Sequence, residues 1–200
     1  LPIKPCYYEG TPLQYSTYVP HDIQGLINRH GGAPRFVEFL DNFFDSGGYT
    51  QGNEPDILTP YLYNYAGRPD RTADRVRKIL ATDYAATGNG LPGNDDAGAM
   101  SSWYVFGAMG FYPNAGQDVY LFGSPLFSRV EIDLGNSHKL IIVAKNVSEK
   151  NRYIQSATLN AKKWDKAWFS HSDILNGAEF VLEMGDKPSG WGNSDFPPSV

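Results

Sequence analysis

The sequence predicts a mixed α+β fold in which helices come first and antiparallel strands follow. Three observations carry that reading. The hydrophobic period switches once, from helical spacing to alternation, between residues 113 and 117. Gly, Asn, Asp and Ser clusters punctuate the second half at short intervals, the pattern of an antiparallel β-sandwich. Two hundred residues with 41% apolar, 20% charged and 14% aromatic content can bury a sizeable core, as one large domain or two small ones.

In the first half, Asp22 can cap a helix through Ile23, Leu26 and Ile27 that stops at Gly31-Gly32. Pro34 then occupies the first turn of a helix carrying Phe36, Val37, Phe39, Leu40, Phe43 and Phe44, and the pair forms a helical hairpin. A third helix is expected over about residues 57–65, closing at Gly67, and a fourth over about 72–86 with Val76, Ile79 and Leu80 on its apolar face. The fifth, over about 98–109, is apolar nearly all round, as a helix buried in a larger body reads. Strands are expected at 119–122, 129–134, 139–144, 154–159, 168–170 and 179–183, and residues 189–200, rich in Gly, Ser and Pro, read as a surface tail or arm. The loops at 7–20, 45–56 and 87–96 are long, and long loops in compact domains are usually functional. Five helices joined this way do not close on themselves, so the helical half reads as part of a larger helical body. The start, Leu1 to Cys6, has neither an initiator Met nor the apolar core of a signal peptide, and reads as mature, processed or truncated.

Composition excludes several classes of function. With 17 Lys+Arg against 22 Asp+Glu, the net charge of −5 offers phosphate backbones and anionic membranes nothing to neutralise. The longest apolar stretches, such as Leu140-Ile141-Ile142-Val143-Ala144, fall far short of the roughly 20 residues that cross a bilayer. A single cysteine, Cys6, excludes an intrachain disulfide and a Cys-based zinc cluster, and there is no G-x-S-x-G nucleophile motif. One N-x-[ST] sequon, Asn146-Val147-Ser148, gives slight weight to secretion.

Three loop clusters hold nearly all the candidate chemistry: Tyr7-Tyr8-Glu9-Gly10-Thr11, Gly52-Asn53-Glu54-Pro55-Asp56, and Gly93-Asn94-Asp95-Asp96-Ala97-Gly98. Each sets carboxylates beside glycine, which permits tight backbone geometry and close approach of a ligand. Carboxylates on rigid loops next to aromatics can act as an acid–base pair; equally, Gly-Asn-Asp-Asp ahead of a helix is a turn with an N-cap. Asn53, Glu54, Asp56, Asp95 and Asp96 also offer oxygen ligands of the kind Ca²⁺ takes, without EF-hand spacing. Among the four histidines His21, in Val19-Pro20-His21-Asp22, is the functional candidate. Tyr8, beside Glu9, is the best aromatic for a sugar-stacking pocket, whereas most other aromatics are expected in the core.

The motifs Tyr8-Glu9-Gly10-Thr11, Tyr18-Val19-Pro20-His21-Asp22, Gly52-Asn53-Glu54-Pro55, Pro60-Tyr61-Leu62-Tyr63-Asn64-Tyr65-Ala66-Gly67 and Gly93-Asn94-Asp95-Asp96-x-Gly98-x-Met100-Ser101-x-Trp103 together strongly resemble glycoside hydrolase family 92, calcium-dependent exo-acting α-mannosidases. The resemblance implies that residues 1–115 are the last helices of an (α/α)6 barrel and 116–200 the family's C-terminal β region. It implies Glu9 as general acid and Asp96 as general base, with Asp95 as a further catalytic residue of the same loop, and leaves open whether one carboxylate or two act on the water. Tyr8, His21, Asn94 and Glu54 would bind substrate, and Asn53 and Glu54 would contact Ca²⁺. The implied partners are a mannose-containing glycan and the N-terminal part of the same enzyme, as a separate chain or missing, in a secreted or extracytoplasmic protein. Two departures stand out: Asn94 where some members carry Asp, and Asp56-Ile57-Leu58 where others carry Ser and His. A non-catalytic carbohydrate-binding or assembly module is the alternative.

Overall fold

The computed structural model describes residues 7–199, so the readings made on Leu1 to Cys6 fall outside the described residues. The helical half runs α1 (Pro12–Tyr15), α2 (Ile23–Arg29), α3 (Ala33–Asp45), two 3₁₀ segments at Glu54–Asp56 and Thr59–Asn64, α4 (Pro69–Thr82) and α5 (Ala99–Met109). Asp22 caps α2 by accepting from the Gly25 amide at 2.7 Å, and Pro34 sits in the first turn of α3, as the sequence dictates. The expected third helix is present as the 3₁₀ segment Thr59–Asn64, where Pro60 has no amide to donate to the Asp56 carbonyl and so removes the first i→i−4 bond of a helix over 57–65; the 3₁₀ turn Glu54–Asp56 precedes it. Helix α4 starts at Pro69 and ends at Thr82, short of the expected Ala86.

Phe36, Leu40, Tyr61, Leu62, Tyr63, Val76 and Trp103 are wholly buried and form the centre of one core. Helix α5 is not buried all round: Met100, Trp103 and Ala108 face inward, but Val105 is 52% exposed and Tyr104 lies beside it at the surface. Directly after α5, Gly110 in the left-handed region turns the chain into β1 (Phe111–Pro113), which pairs with β2 (Tyr120–Phe122), and β2 pairs with β7 (Trp168–Phe169). The second sheet has the order β3-β4-β8-β5-β6, from Arg129–Gly135, His138–Lys145, Ala178–Gly185, Tyr153–Leu159 and Lys162–Trp164. Its ladders are antiparallel except β4 with β8, which are parallel because β8 returns after a long crossover to lie between β4 and β5. A short α6 (His171–Ile174), closed by a Ser170–Asp173 capping box, leads into β8. The two sheets share a second core in which Phe122 and Phe169 meet Phe180 at ring distances of 5.1 and 5.0 Å.

Residues 189–199 form the surface arm their composition suggests, most of them exposed, but the arm is anchored to the body of the fold. Trp191 is buried in the β core and donates its indole N–H to the Trp164 carbonyl at 2.8 Å, while Ser199 accepts from the Gln24 amide of α2 at 2.9 Å. One tryptophan supplies enough apolar area to hold a Gly/Pro-rich segment down.

Side chains from several elements stitch the loop roots together. Asn64, fully buried, donates to the carbonyls of Phe122 and Ala167 and so joins the helical core to the sheet. Asp56, also fully buried, accepts from Gln14 of α1 at 3.0 Å and from the Thr50 amide at 2.9 Å. Burial pushes its carboxyl up to about 6, and the Thr50 and Gln14 bonds pull the other way. Because the folded value lies above the ordinary one, the folded state keeps a proton the unfolded chain releases. The stabilisation is present below about pH 4 and is lost as pH rises through 6. Asp56→Asn should therefore stabilise the chain at pH 7 by about 1–3 kcal/mol. That advantage should vanish at pH 4. Denaturant unfolding at the two pH values checks this, and an equal effect at both would refute it.

Candidate active site

The structure brings the three acidic loops into contact, and it does so through small groups. Asn53 donates its side-chain amide to the Glu9 carbonyl, tying the first loop to the second. Tyr15 of α1 braces the first loop from beneath, donating its hydroxyl to the Tyr8 carbonyl at 2.7 Å with its ring 5.3 Å from that of Tyr7. The second loop meets the third where Gly52 and Gly93 cross. A Cβ on Gly52 would stand 2.5 Å from the Pro92 carbonyl oxygen, and one on Gly93 would stand 2.5 Å from the Gly52 oxygen. Only glycine on both sides admits that passage.

Left-handed backbone occurs at these loops, as it also does in the turns at Asn136-Ser137, Asn146 and Asn160-Ala161. Glu9 has φ 51°, Asp96 φ 39° and Ala97 φ 60°, and Gly98 completes a left-handed run at φ 95°. For a residue bearing a Cβ this region costs roughly 1–2 kcal/mol, and such outliers cluster at functional sites. Asp95 holds the run in place. Its carbonyl accepts from the amides of Gly98 at 2.9 Å and Ala99 at 2.6 Å, and its two carboxylate oxygens accept from the Ser101 amide at 2.8 Å and hydroxyl at 2.9 Å. Glu9, Tyr8, Asn94 and Asp96 are left exposed to solvent on the loop tips.

The remaining sequence-predicted residues divide. Glu54 opens the 3₁₀ turn with Oε1 buried and without a hydrogen-bond partner among the described residues. Asn53 has committed its NH₂ to Glu9, which leaves its oxygen as the acceptor. Two such oxygens suit a hard cation, so the donor chemistry fits calcium. No group of three or more His, Cys, Asp or Glu gathers among the described residues, so the rest of the shell would be amide, carbonyl, water or sugar oxygen. His21 is exposed on the turn before α2, whose Pro20 carbonyl is pinned by Asn114 and Gln117; no hydrogen bond among the described residues links it to the three loops. Ser101 and Gln14 have roles at the site that sequence reasoning did not assign. The first could be read from an Asp three residues before a Gly N-cap with Ser three residues after it; the second has no local signal.

Comparison with known proteins places the chain in a family. Residues 3–186 match the model of the glycosyl hydrolase family 92 catalytic domain. A protein from Arthroderma benhamiae described as an uncharacterized secreted glycosidase is 42% identical over 199 residues, 96% of this chain and 26% of that protein. Among solved structures, a family 92 α-mannosidase from Bacteroides thetaiotaomicron in complex with mannoimidazole superposes with a TM-score of 0.91 at 34% identity, over 100% of this chain and 30% of that one. A family 92 inverting mannosidase from the same organism gives a TM-score of 0.88 at 30% identity, over 96% and 30%. The chain thus spans less than a third of the length of these relatives. With the family model covering most of its length, this chain belongs to glycosyl hydrolase family 92, and is a glycosidase segment by descent.

Proposed function

We propose that this chain carries the acid–base pair of an inverting exo-α-mannosidase that removes terminal α-linked mannose from glycans. One observation carries the reading: Glu9 and Asp96 both sit exposed on left-handed backbone, on loops locked to one another by the Asn53–Glu9 bond and the Gly52–Gly93 crossing. Strain of that kind persists where a surrounding structure over-determines it, as a catalytic site does. Descriptions of the solved relatives as α-mannosidases, one of them inverting, support the choice of sugar and stereochemistry.

In this reading Glu9 donates its proton to the glycosidic oxygen as the bond to the anomeric carbon breaks. Asp96 takes a proton from the water that attacks the anomeric carbon from the opposite face, which needs carboxyls roughly 6.5–9.5 Å apart. Tyr8 offers its ring to a sugar face, and Asn94 and Glu54 offer hydrogen bonds to hydroxyls. Glu54 and Asn53 would hold calcium, which when bound supplies a Lewis-acid anchor for vicinal sugar hydroxyls. The other walls of the site come from the preceding part of the catalytic unit that the longer relatives possess. Export from the cell follows the fungal relative described as secreted.

Glu9→Gln should lower turnover of a mannobiose by about 10²–10⁴-fold and of an activated aryl α-mannoside by less than about tenfold, because a good leaving group needs little protonation. Equal losses on both substrates remove Glu9 from the acid role. Gly93→Ala should lower kcat on both substrates alike, on the order of 10²-fold, since it forces the second and third loops apart and misplaces the carboxylates without removing either. Full activity in that variant would mean that the crossing does not set the catalytic geometry. Removal of divalent cations with a chelator should abolish mannose release and added Ca²⁺ should restore it; activity indifferent to chelation withdraws calcium from the reading.

A further inference from the structure

Asp95 stands next to the proposed base and is a carboxylate in the same loop, so it is the obvious second candidate for activating water. Its contacts argue for a different role. Both of its carboxylate oxygens are engaged by Ser101, at 2.8 Å to the amide and 2.9 Å to the hydroxyl. Its carbonyl is engaged as well, by the amides of Gly98 and Ala99. Between these two grips lie Asp96, Ala97 and Gly98, all in the left-handed region. Ala97 has no side-chain acceptor or donor with which to hold that conformation, and Gly98, the residue before α5, makes no side-chain cap. What remains to fix the turn is Asp95 on one side and the first turn of α5 on the other. Ser102 reinforces the far side, its hydroxyl donating to the Gly98 carbonyl.

We propose that Asp95 is a positioning residue: clamped to Ser101, it holds the Asp96–Ala97–Gly98 turn in its left-handed form and thereby aims the Asp96 carboxylate at the attacking water. The inference rests on the assignment of Asp96 as base and extends it. An acceptor is all that the Ser101 amide requires, so an asparagine can take over part of the task. An alanine cannot. A reacting carboxylate would be lost as fully in Asn as in Ala, because the neutral amide cannot receive a proton as a base.

The test uses the active enzyme that contains this segment, with α-mannobiose as substrate. Asp95→Ala should reduce kcat by about 10²-fold with KM changed less than about threefold, the signature of misplacing a group used only in the transition state. Asp95→Asn should recover kcat to within about tenfold of the parent. Adding Ser101→Ala to Asp95→Ala should cost nothing further, since the two act as one unit. Independently of activity, amide exchange at Ala99–Ser102 should speed up at least about tenfold in Asp95→Ala and stay near parental in Asp95→Asn. If Asp95→Asn is as inactive as Asp96→Asn while its exchange is parental, Asp95 reacts and the positioning role is overturned. If Asp95→Ala keeps full kcat, the clamp does not aim the base and the proposal fails. A fully active Asp96→Asn would instead overturn the base assignment itself. Should Asp95→Ala fail to fold, Ser101→Ala alone carries the test: it should lose kcat by several-fold to about tenfold at unchanged KM, and a parental kcat overturns the clamp.

Discussion

Trp103 is wholly buried, and a buried indole N–H must find an acceptor; it finds the Ile57 carbonyl at 2.8 Å. That bond fixes helix α5 to the end of the 3₁₀ turn that begins at Glu54, and so sets the root of the third acidic loop against the root of the second. Tyr84 stacks on the indole at 5.9 Å with the rings nearly parallel, accepts from Gln51 and donates to the Met100 carbonyl. Tyr61 closes the other side edge-on. An error in the seating of this one side chain would be passed to both loops, because each is short beyond its root and neither has a core of its own.

Rigid roots make the strained tips possible. Left-handed backbone at Glu9, Asp96 and Ala97 would relax in a free loop, since each residue bears a Cβ that the region crowds. Here the relaxation is opposed by bonds that would have to break first: Asn53 to the Glu9 carbonyl, Tyr15 to the Tyr8 carbonyl, and Asp95 to Ser101. The tyrosine and the asparagine are supported in turn by α1, itself closed by a Thr11–Gln14 capping box and tied down through Gln14 to Asp56. The polar groups nearest the tips therefore do little for core stability and much for the direction in which the tips point.

Much of this was legible in the sequence, and the failures have definite causes. The capped helix at Asp22, the Phe-rich α3 and all six expected strands stand within a few residues of their predicted places, because apolar period and turn residues dominate there. The three loop clusters stand out as candidates because each sets carboxylates beside glycine, the first with two tyrosines as well. The helix expected over 57–65 is a 3₁₀ segment because Pro60 removes the first i→i−4 bond of a stretch that is helical in period. Reading 189–200 as a surface arm left out its anchor, because Gly and Pro outweigh a single Trp191 in composition and long-range burial leaves no mark on local composition. The adjacency of the loops could not be read at all: the Gly52–Gly93 crossing joins residues 41 positions apart through backbone alone.

On the proposed reading, the acid and the base lie on one continuous segment whose own two cores hold them, while less than a third of the length of the related enzymes is represented. The roots of both carboxylate-bearing loops are then held within this segment, by Trp103 and the glycine crossing. Residues that discriminate one mannosidic linkage from another need only face the leaving sugar, and are free to lie elsewhere. Tyr104 and Val105 of α5 are exposed and open to cover by further protein, and Tyr104 packs on Tyr84, the ring that stacks on the indole. Chemistry and selectivity would thus be supported by different parts of the structure. Substitutions at Asp56 or Ile57, where the sequence departs from the family pattern, would act on the roots of the loops rather than on the reacting carboxylates.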